Sequence, residues 1–165
     1  MNHYKSWSGL NKQLNGCLCD SLRDRITYFL TRYHGVHNSY GRASIRMDGK
    51  ELAVFSWINM YEQEHDLNER WTENGIRDSD IAELRKQWAK ECTLSELDFL
   101  QAAVDFLQMP IVDALTSDHC LIRIFAILDR RVGKRTIKQI RDGGRYKIYP
   151  EWVRQFYELR FECQN

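Results

Sequence analysis

The stretch Arg42-Ala43-Ser44-Ile45-Arg46-Met47-Asp48-Gly49-Lys50-Glu51-Leu52-Ala53-Val54-Phe55-Ser56-Trp57 decides the fold. Asp-Gly between two extended runs is the signal for a two-residue hairpin, because both central residues must adopt positive φ. Such a turn sets the strand register. Met47 is expected opposite Lys50, Arg46 opposite Glu51, Ile45 opposite Leu52 and Ala43 opposite Val54. Side chains alternate along a strand, so Ala43, Ile45, Leu52 and Val54 should share the buried face. Arg46 and Glu51 should pair on the other face, beside Arg42, Phe55 and Trp57.

Upstream, Arg25 to His34 is rich in aromatic and β-branched residues and reads as a third strand, followed by a loop over Gly35 to Gly41. The three strands make an antiparallel meander with one face open to a helical layer. Before them, Ser6 or Ser8 caps a helix running to about Leu22, with Leu10, Leu14, Cys17 and Leu22 inward. After Trp57 the pattern is helical. A poorly bounded acidic segment spans Ile58 to Trp71. Asp78 or Ser79 starts a helix to Glu91. Thr93-Leu94-Ser95-Glu96 matches a capping box for a helix with Leu97, Leu100, Val104 and Leu107 inward, ending before Pro110. A short helix covers Ile111 to Leu115. Ser117-Asp118 caps another, with Leu121, Ile122, Phe125, Leu128 and Val132 inward and Gly133 as its left-handed stop. A short basic helix follows Thr136 and breaks at Gly143-Gly144. Pro150 begins the last helix, with Trp152, Phe156 and Leu159 inward. The expected fold is therefore one α+β domain over 1–165: a helix plus meander over 1–57, and a helical portion over 58–165 packed on the sheet.

Composition narrows the class. The chain has 165 residues, 43% of them hydrophobic and 28% charged, with two prolines and no polar tract. A chain of this size and make-up buries a sizeable core. Met1 to Asn15 is polar and does not read as a signal peptide, and Leu121 to Leu128 is interrupted by Arg123 and too short to span a bilayer. Five cysteines at irregular spacing argue against a disulfide framework and point to reduced thiols and a cytoplasmic location.

Charge is sorted into blocks. Residues 1–57 carry 8 Lys/Arg against 4 Asp/Glu, residues 58–118 carry 5 against 14, and residues 119–165 carry 11 against 5. Blocks of opposite sign either neutralise one another within the fold or form separate surfaces that partners read.

Four groups of residues are candidates for chemistry. The segment 123–147 holds nine cations, among them Arg130, Arg131, Lys134 and Arg135, and suits phosphates or an acidic surface. The other reading pairs these cations with the acidic middle block and with helix carbonyls. Gly133-Lys134 is not a phosphate loop, since the earlier glycine of that motif is absent. His34-x-x-His37, with His65 or His119-Cys120, offers imidazole nitrogens, but without the accompanying ligand motifs no metal is expected and no cofactor is implied. Either His34 or His37 is a candidate general base without an identified nucleophile. The outer hairpin face interleaves Arg42 and Arg46 with Phe55 and Trp57, a mixture suited to bases, peptides or another protein, unless a terminal helix covers it. Finally, Glu62, Glu64, Asp66, Glu69, Glu73, Asp78, Asp80 and Glu83 form an acidic run, read as a solvated helix face or a surface for a basic partner.

Three stretches together carry a resemblance: Trp7-Ser8-Gly9-Leu10; Thr31-Arg32-Tyr33-His34 with Gly41-Arg42-Ala43 and Asp48-Gly49; and Leu128-Asp129-Arg130-Arg131-Val132-Gly133-Lys134-Arg135. In these the chain resembles a family of small uncharacterised bacterial cytosolic proteins. The resemblance implies a bacterial protein of about this size and carries over no activity. Charge sorting without a catalytic signature favours a non-enzymatic protein-interaction module, such as a neutralising partner of a toxin or effector. The alternatives are a nucleic-acid-binding protein using 123–147, and a small hydrolase or nuclease centred on His34 and His37.

Overall fold

The computed structural model describes residues 6–32, 41–61 and 78–163. Helix α1 (Trp7–Cys17) opens the chain, capped by Ser6, whose Oγ accepts from the Gly9 N–H at 3.2 Å. Strands β1 (Ile26–Arg32), β2 (Gly41–Met47) and β3 (Lys50–Phe55) form an antiparallel sheet in the order β1-β2-β3. Residues 57–61 are helical (α2). Then come α3 (Asp78–Glu91), α4 (Glu96–Gln108), α5 (Ile111–Leu115), α6 (Cys120–Ile127), α7 (Lys134–Gly143), a 3₁₀ turn over Arg145–Ile148, and α8 (Glu151–Glu162). This is the expected α+β architecture.

The hairpin turn is of the expected kind, with φ of 51° at Asp48 and 80° at Gly49. Met47 faces Lys50 and Arg46 faces Glu51, as the turn requires. Beyond that pair the register shifts. Ile45 lies opposite Ala53, Ser44 opposite Val54 and Ala43 opposite Phe55. Leu52 is the extra residue of a β-bulge, and its carbonyl accepts from Gln155 Nε2 on α8 at 2.9 Å. One inserted residue reverses the alternation downstream. Phe55 is therefore 2% exposed and in the core, not on the outer hairpin face, whereas Val54 turns outward at 38% exposure.

The buried sheet face presents Ile26, Tyr28, Ala43, Ile45, Ala53 and Phe55. Helix α4 lays Phe99 on it, with ring centroids 5.4 Å from Phe55 and 5.9 Å from Trp7. Behind Phe99 stands Phe125 of α6, 5.7 Å away and also 5.5 Å from Tyr28. These offset and edge contacts join sheet, α1, α4 and α6 into one aromatic core.

Several boundaries differ from expectation. Helix α1 stops at Cys17, because the Cys17 carbonyl and the Cys19 N–H pair with Arg130 N and Leu128 O at 2.8 and 2.9 Å. The α4 capping box is Ser95 with Asp98, two residues beyond the expected one. The inward face of α4 accordingly centres on Phe99, Leu100, Ala103 and Phe106, and Leu97 is 62% exposed. Helix α6 ends at Ile127, and Gly133, with φ −73°, caps the start of α7 and does not stop α6. The left-handed glycine of this region is Gly144, the C-cap of α7, with φ 67°.

The bulge makes a direct prediction. Phe55→Ala should lower the unfolding free energy by about 3–5 kcal/mol, the cost of an emptied aromatic site, and Val54→Ala by less than about 1 kcal/mol. Urea denaturation of the two variants checks this, since an unbulged hairpin would reverse their ranking.

Candidate interaction surface

The segment 128–135 joins α6 to α7 and is built around one buried carboxylate. Asp129 is 0% exposed. Its Oδ1 accepts from the Arg131 N–H at 2.7 Å and from Arg131 Nε at 3.0 Å, and its Oδ2 accepts from Arg131 Nη2 at 2.7 Å. A charge-assisted fork of this kind closes the turn on itself. Asp129 also forms a one-residue antiparallel bridge with Leu18, which ties the turn to the end of α1. The neighbouring Cys17 thiol is pushed up, first by its own burial and then by the negative charge of Asp129. Buried Arg160 of α8 secures the other side, donating from Nε to the Ile127 carbonyl at 3.0 Å and from Nη2 to the Val132 carbonyl at 3.1 Å.

With Leu128, Asp129 and Val132 held inside, Arg130 is left outside, and the chain enters α7 through exposed Gly133. On α7, Ile137 is buried and Ile140 half-buried, so the opposite side faces water. There Lys134, Lys138 and Arg141 recur at i, i+4 and i+7 and make one stripe, flanked by Arg135. Arg145 and Lys147 of the 3₁₀ turn are exposed as well. Arg141 approaches Asp142 at 3.5 Å. Among the described residues no carboxylate pairs with Arg130, Lys134, Arg135, Lys138, Arg145 or Lys147. Of the four cations singled out from the sequence, Arg130, Lys134 and Arg135 are thus open to solvent. Arg131 is exposed but bound to Asp129. Arg123, from the same segment, is buried.

The outer hairpin face is arranged differently. Both Arg42 and Arg46 bind Glu51, Arg42 through two nitrogens and Arg46 through Nη2 at 3.2 Å. Arg46 also lies over the Phe29 ring at 4.0 Å. The hydrogen bonds from Arg42, more than any other influence, hold the Glu51 carboxyl down at about 2, against an ordinary 4.5. Phe55 has left this face for the core. Trp57 lies past the strand in α2, 38% exposed and stacked on Tyr61 at 5.1 Å. The four residues therefore do not form one mixed surface.

Glu96, the last residue of the capping box expected from the sequence, has another role. It is 5% exposed, and its carboxylate accepts from the Gly41 N–H at 3.0 Å and the Trp57 N–H at 2.7 Å, joining the start of β2 to the start of α2. No local signal marks it, because both partners are remote in sequence. The candidates His34, His37 and His65, and the acidic residues from Glu62 to Glu73, lie outside the described residues. Among the described residues no group of three His, Cys, Asp or Glu side chains is placed to hold a metal ion, and no helix is long and apolar enough to cross a membrane.

Fold and surface together define a small α+β protein whose α6–α7 turn is built to present a solvent-facing basic helix. The chain belongs to the SF0329 protein family, whose model matches residues 6–161. No curated protein and no solved structure matches it.

Two predictions concern this surface. Asp129→Ala, which leaves the turn without its carboxylate, should destabilise the protein by about 3 kcal/mol, and Arg130→Ala by no more than about 0.5 kcal/mol, as read from thermal or urea unfolding. The Arg42–Glu51–Arg46 cluster should show its strength in acid. A carboxyl with a depressed native pKa stabilises fully above its unfolded value of 4.5, and that contribution is lost as pH falls toward about 2. Glu51→Gln should therefore be less stable than the parent by about 1 kcal/mol near neutrality, a figure reduced for solvent screening. The gap should close as pH falls through that window in paired unfolding curves.

Proposed function

We propose that this protein is a non-enzymatic interaction module that docks an acidic partner protein on the solvent face of α7 and its flanking turns. One observation carries the reading. Every ion pair among the described residues joins partners within one of the three charge blocks: Asp20 with Arg23, Arg25 with Asp48, Arg42 and Arg46 with Glu51, Asp129 with Arg131, and Arg141 with Asp142. Among the described residues none joins the acidic middle block to the basic end. The positive charge of Arg130, Lys134, Arg135 and Lys138 is therefore available at the surface.

The placement of that charge also favours an incoming carboxylate. Lys134 and Arg135 occupy the first turn of α7, which contains no acidic residue and no side-chain cap. Cations there oppose the helix dipole, and an acidic group from outside relieves the opposition. A protein suits this face better than nucleic acid does. Helix α7 has 10 residues, about 15 Å of axis, short for reading a groove. Its solvent stripe carries no aromatic side chain on which a base would stack. Neutralising a toxin or effector is the form of this role in which occupying the partner's surface is the whole function.

The test is capture from the native host, followed by reconstitution with the purified partner. A stoichiometric complex with an acidic protein is expected at about 50 mM salt, weakened at about 500 mM, where exposed charges are screened. It should be lost in the triple variant Lys134→Glu, Lys138→Glu, Arg141→Glu. Failure to recover such a complex overturns the reading. So does anisotropy showing that duplex or single-stranded oligonucleotides bind more tightly than the captured protein with a steep salt slope, which would assign the face to nucleic acid.

A further inference from the structure

The inner side of α7 closes a cavity of about 580 Å³, walled also by α5, the turn over 116–118, the 3₁₀ turn and α8. That volume falls within the range of small-molecule sites. At its floor is Arg123, which comes off α6, a helix buried at every residue. Arg123 is 9% exposed. Its Nη1 donates to the Ser117 carbonyl at 2.7 Å, and its guanidinium carbon lies 4.3 Å from the centre of the Tyr149 ring.

A buried guanidinium needs a counter-anion or a full set of acceptors. Arg160, also buried, donates to two carbonyls, and Arg131 has Asp129. Arg123 has one carbonyl and the neutral hydroxyl of Tyr157 as hydrogen-bond partners, a buried Nε without a partner, and no carboxylate within ion-pair distance among the described residues. Tyr157, which also lines the cavity, does not supply the missing charge. Burial pushes its ionisation well above the usual range, so it remains a neutral phenol.

The mouth of the cavity is apolar. Val112 is 70% exposed and Ile148 85% exposed, large apolar side chains left in water among the residues that line it. A cation at the floor below exposed aliphatic groups and the face of an aromatic ring is the layout that receives an amphipathic anion. The charged lining consists of Arg123 and Arg145 against Asp118, an excess of one positive charge.

We propose that this cavity binds a small monocarboxylate with an apolar or aromatic body, its carboxylate on Arg123 and its body between Tyr149, Ile148 and Val112. An excess of one positive charge suits a monoanion better than a phosphate dianion. The site uses the inner side of α7 and stands independently of partner docking on the outer side.

The test uses 3-phenylpropanoate and octanoate, each beside its primary amide, together with phenyl phosphate, in NMR titrations of the ¹⁵N-labelled protein. At least one acid should bind with a Kd below about 5 mM and shift the Arg123 side-chain signal, and its amide should bind at least about tenfold more weakly. Arg123→Met should lose the acid. Ile148→Ser, at a position exposed enough to leave the fold intact, should weaken octanoate binding severalfold. No binding by either acid, equal binding of acid and amide, or binding unchanged in Ile148→Ser overturns the proposal. Tighter binding of phenyl phosphate than of 3-phenylpropanoate overturns the monocarboxylate assignment.

Discussion

Helix α6 is buried along its whole length, so its backbone polar groups must be satisfied within the protein. That constraint organises the C-terminal half. At the helix start, His119 Nδ1 accepts from the Leu121 N–H at 3.3 Å. At its end, Arg160 takes the Ile127 carbonyl and Cys19 N–H takes the Leu128 carbonyl. The next residue, Asp129, is drawn into the same buried layer, where the fork from Arg131 supplies its carboxylate with donors. The geometry that turns Arg130, Lys134 and Arg135 outward thus derives from the satisfaction of a core helix. The basic surface is the outer side of a structural knot.

Local rules recovered most of the elements. Asp48-Gly49 announced the hairpin, Ile111–Leu115 was bounded correctly between Pro110 and Thr116, and Pro150 marked the start of α8. Failures occurred where a partner far along the chain determined the outcome. The bulge at Leu52 has no signal in the hairpin itself. Its carbonyl is held by Gln155, more than a hundred residues away, and one extra residue was enough to move Phe55 from a supposed contact surface into the core. Ser95 prevailed over Thr93 as the α4 cap, while Glu96 turned to the backbone of the sheet and α2. Two hydrogen bonds to distant N–H groups outweighed the one that a capping box would have supplied.

The basic segment shows the same division. Its density was legible in the sequence, and the destination of each cation was not. A helix continuous to Val132 would have placed Arg123, Arg130 and Arg131 on one continuous surface. Termination at Ile127 separates them: Arg123 inward, Arg131 across to Asp129, and Arg130 into water. The choice between internal cancellation and an open surface was therefore decided by where α6 ends, and that depends on Leu18, Asp129 and Arg160 together.

Arg123 is a buried cation without a matching carboxylate, and its field extends to its neighbours. His119 is lowered, mainly by burial with Arg123 adding to it. The Cys92 thiol is held down, first by its hydrogen bond with Cys120 and further by Arg123, while Cys120 is pushed up. A cation with a carboxylate partner close at hand would act on these groups far less, since paired charges cancel at a distance. The outer cations of α7 are shielded by water and leave no comparable mark on the interior. The two sides of α7 thus differ in kind. The outer stripe is a screened charge suited to a broad, salt-sensitive contact, and the inner side closes a low-dielectric site in which a single charge has a large effect.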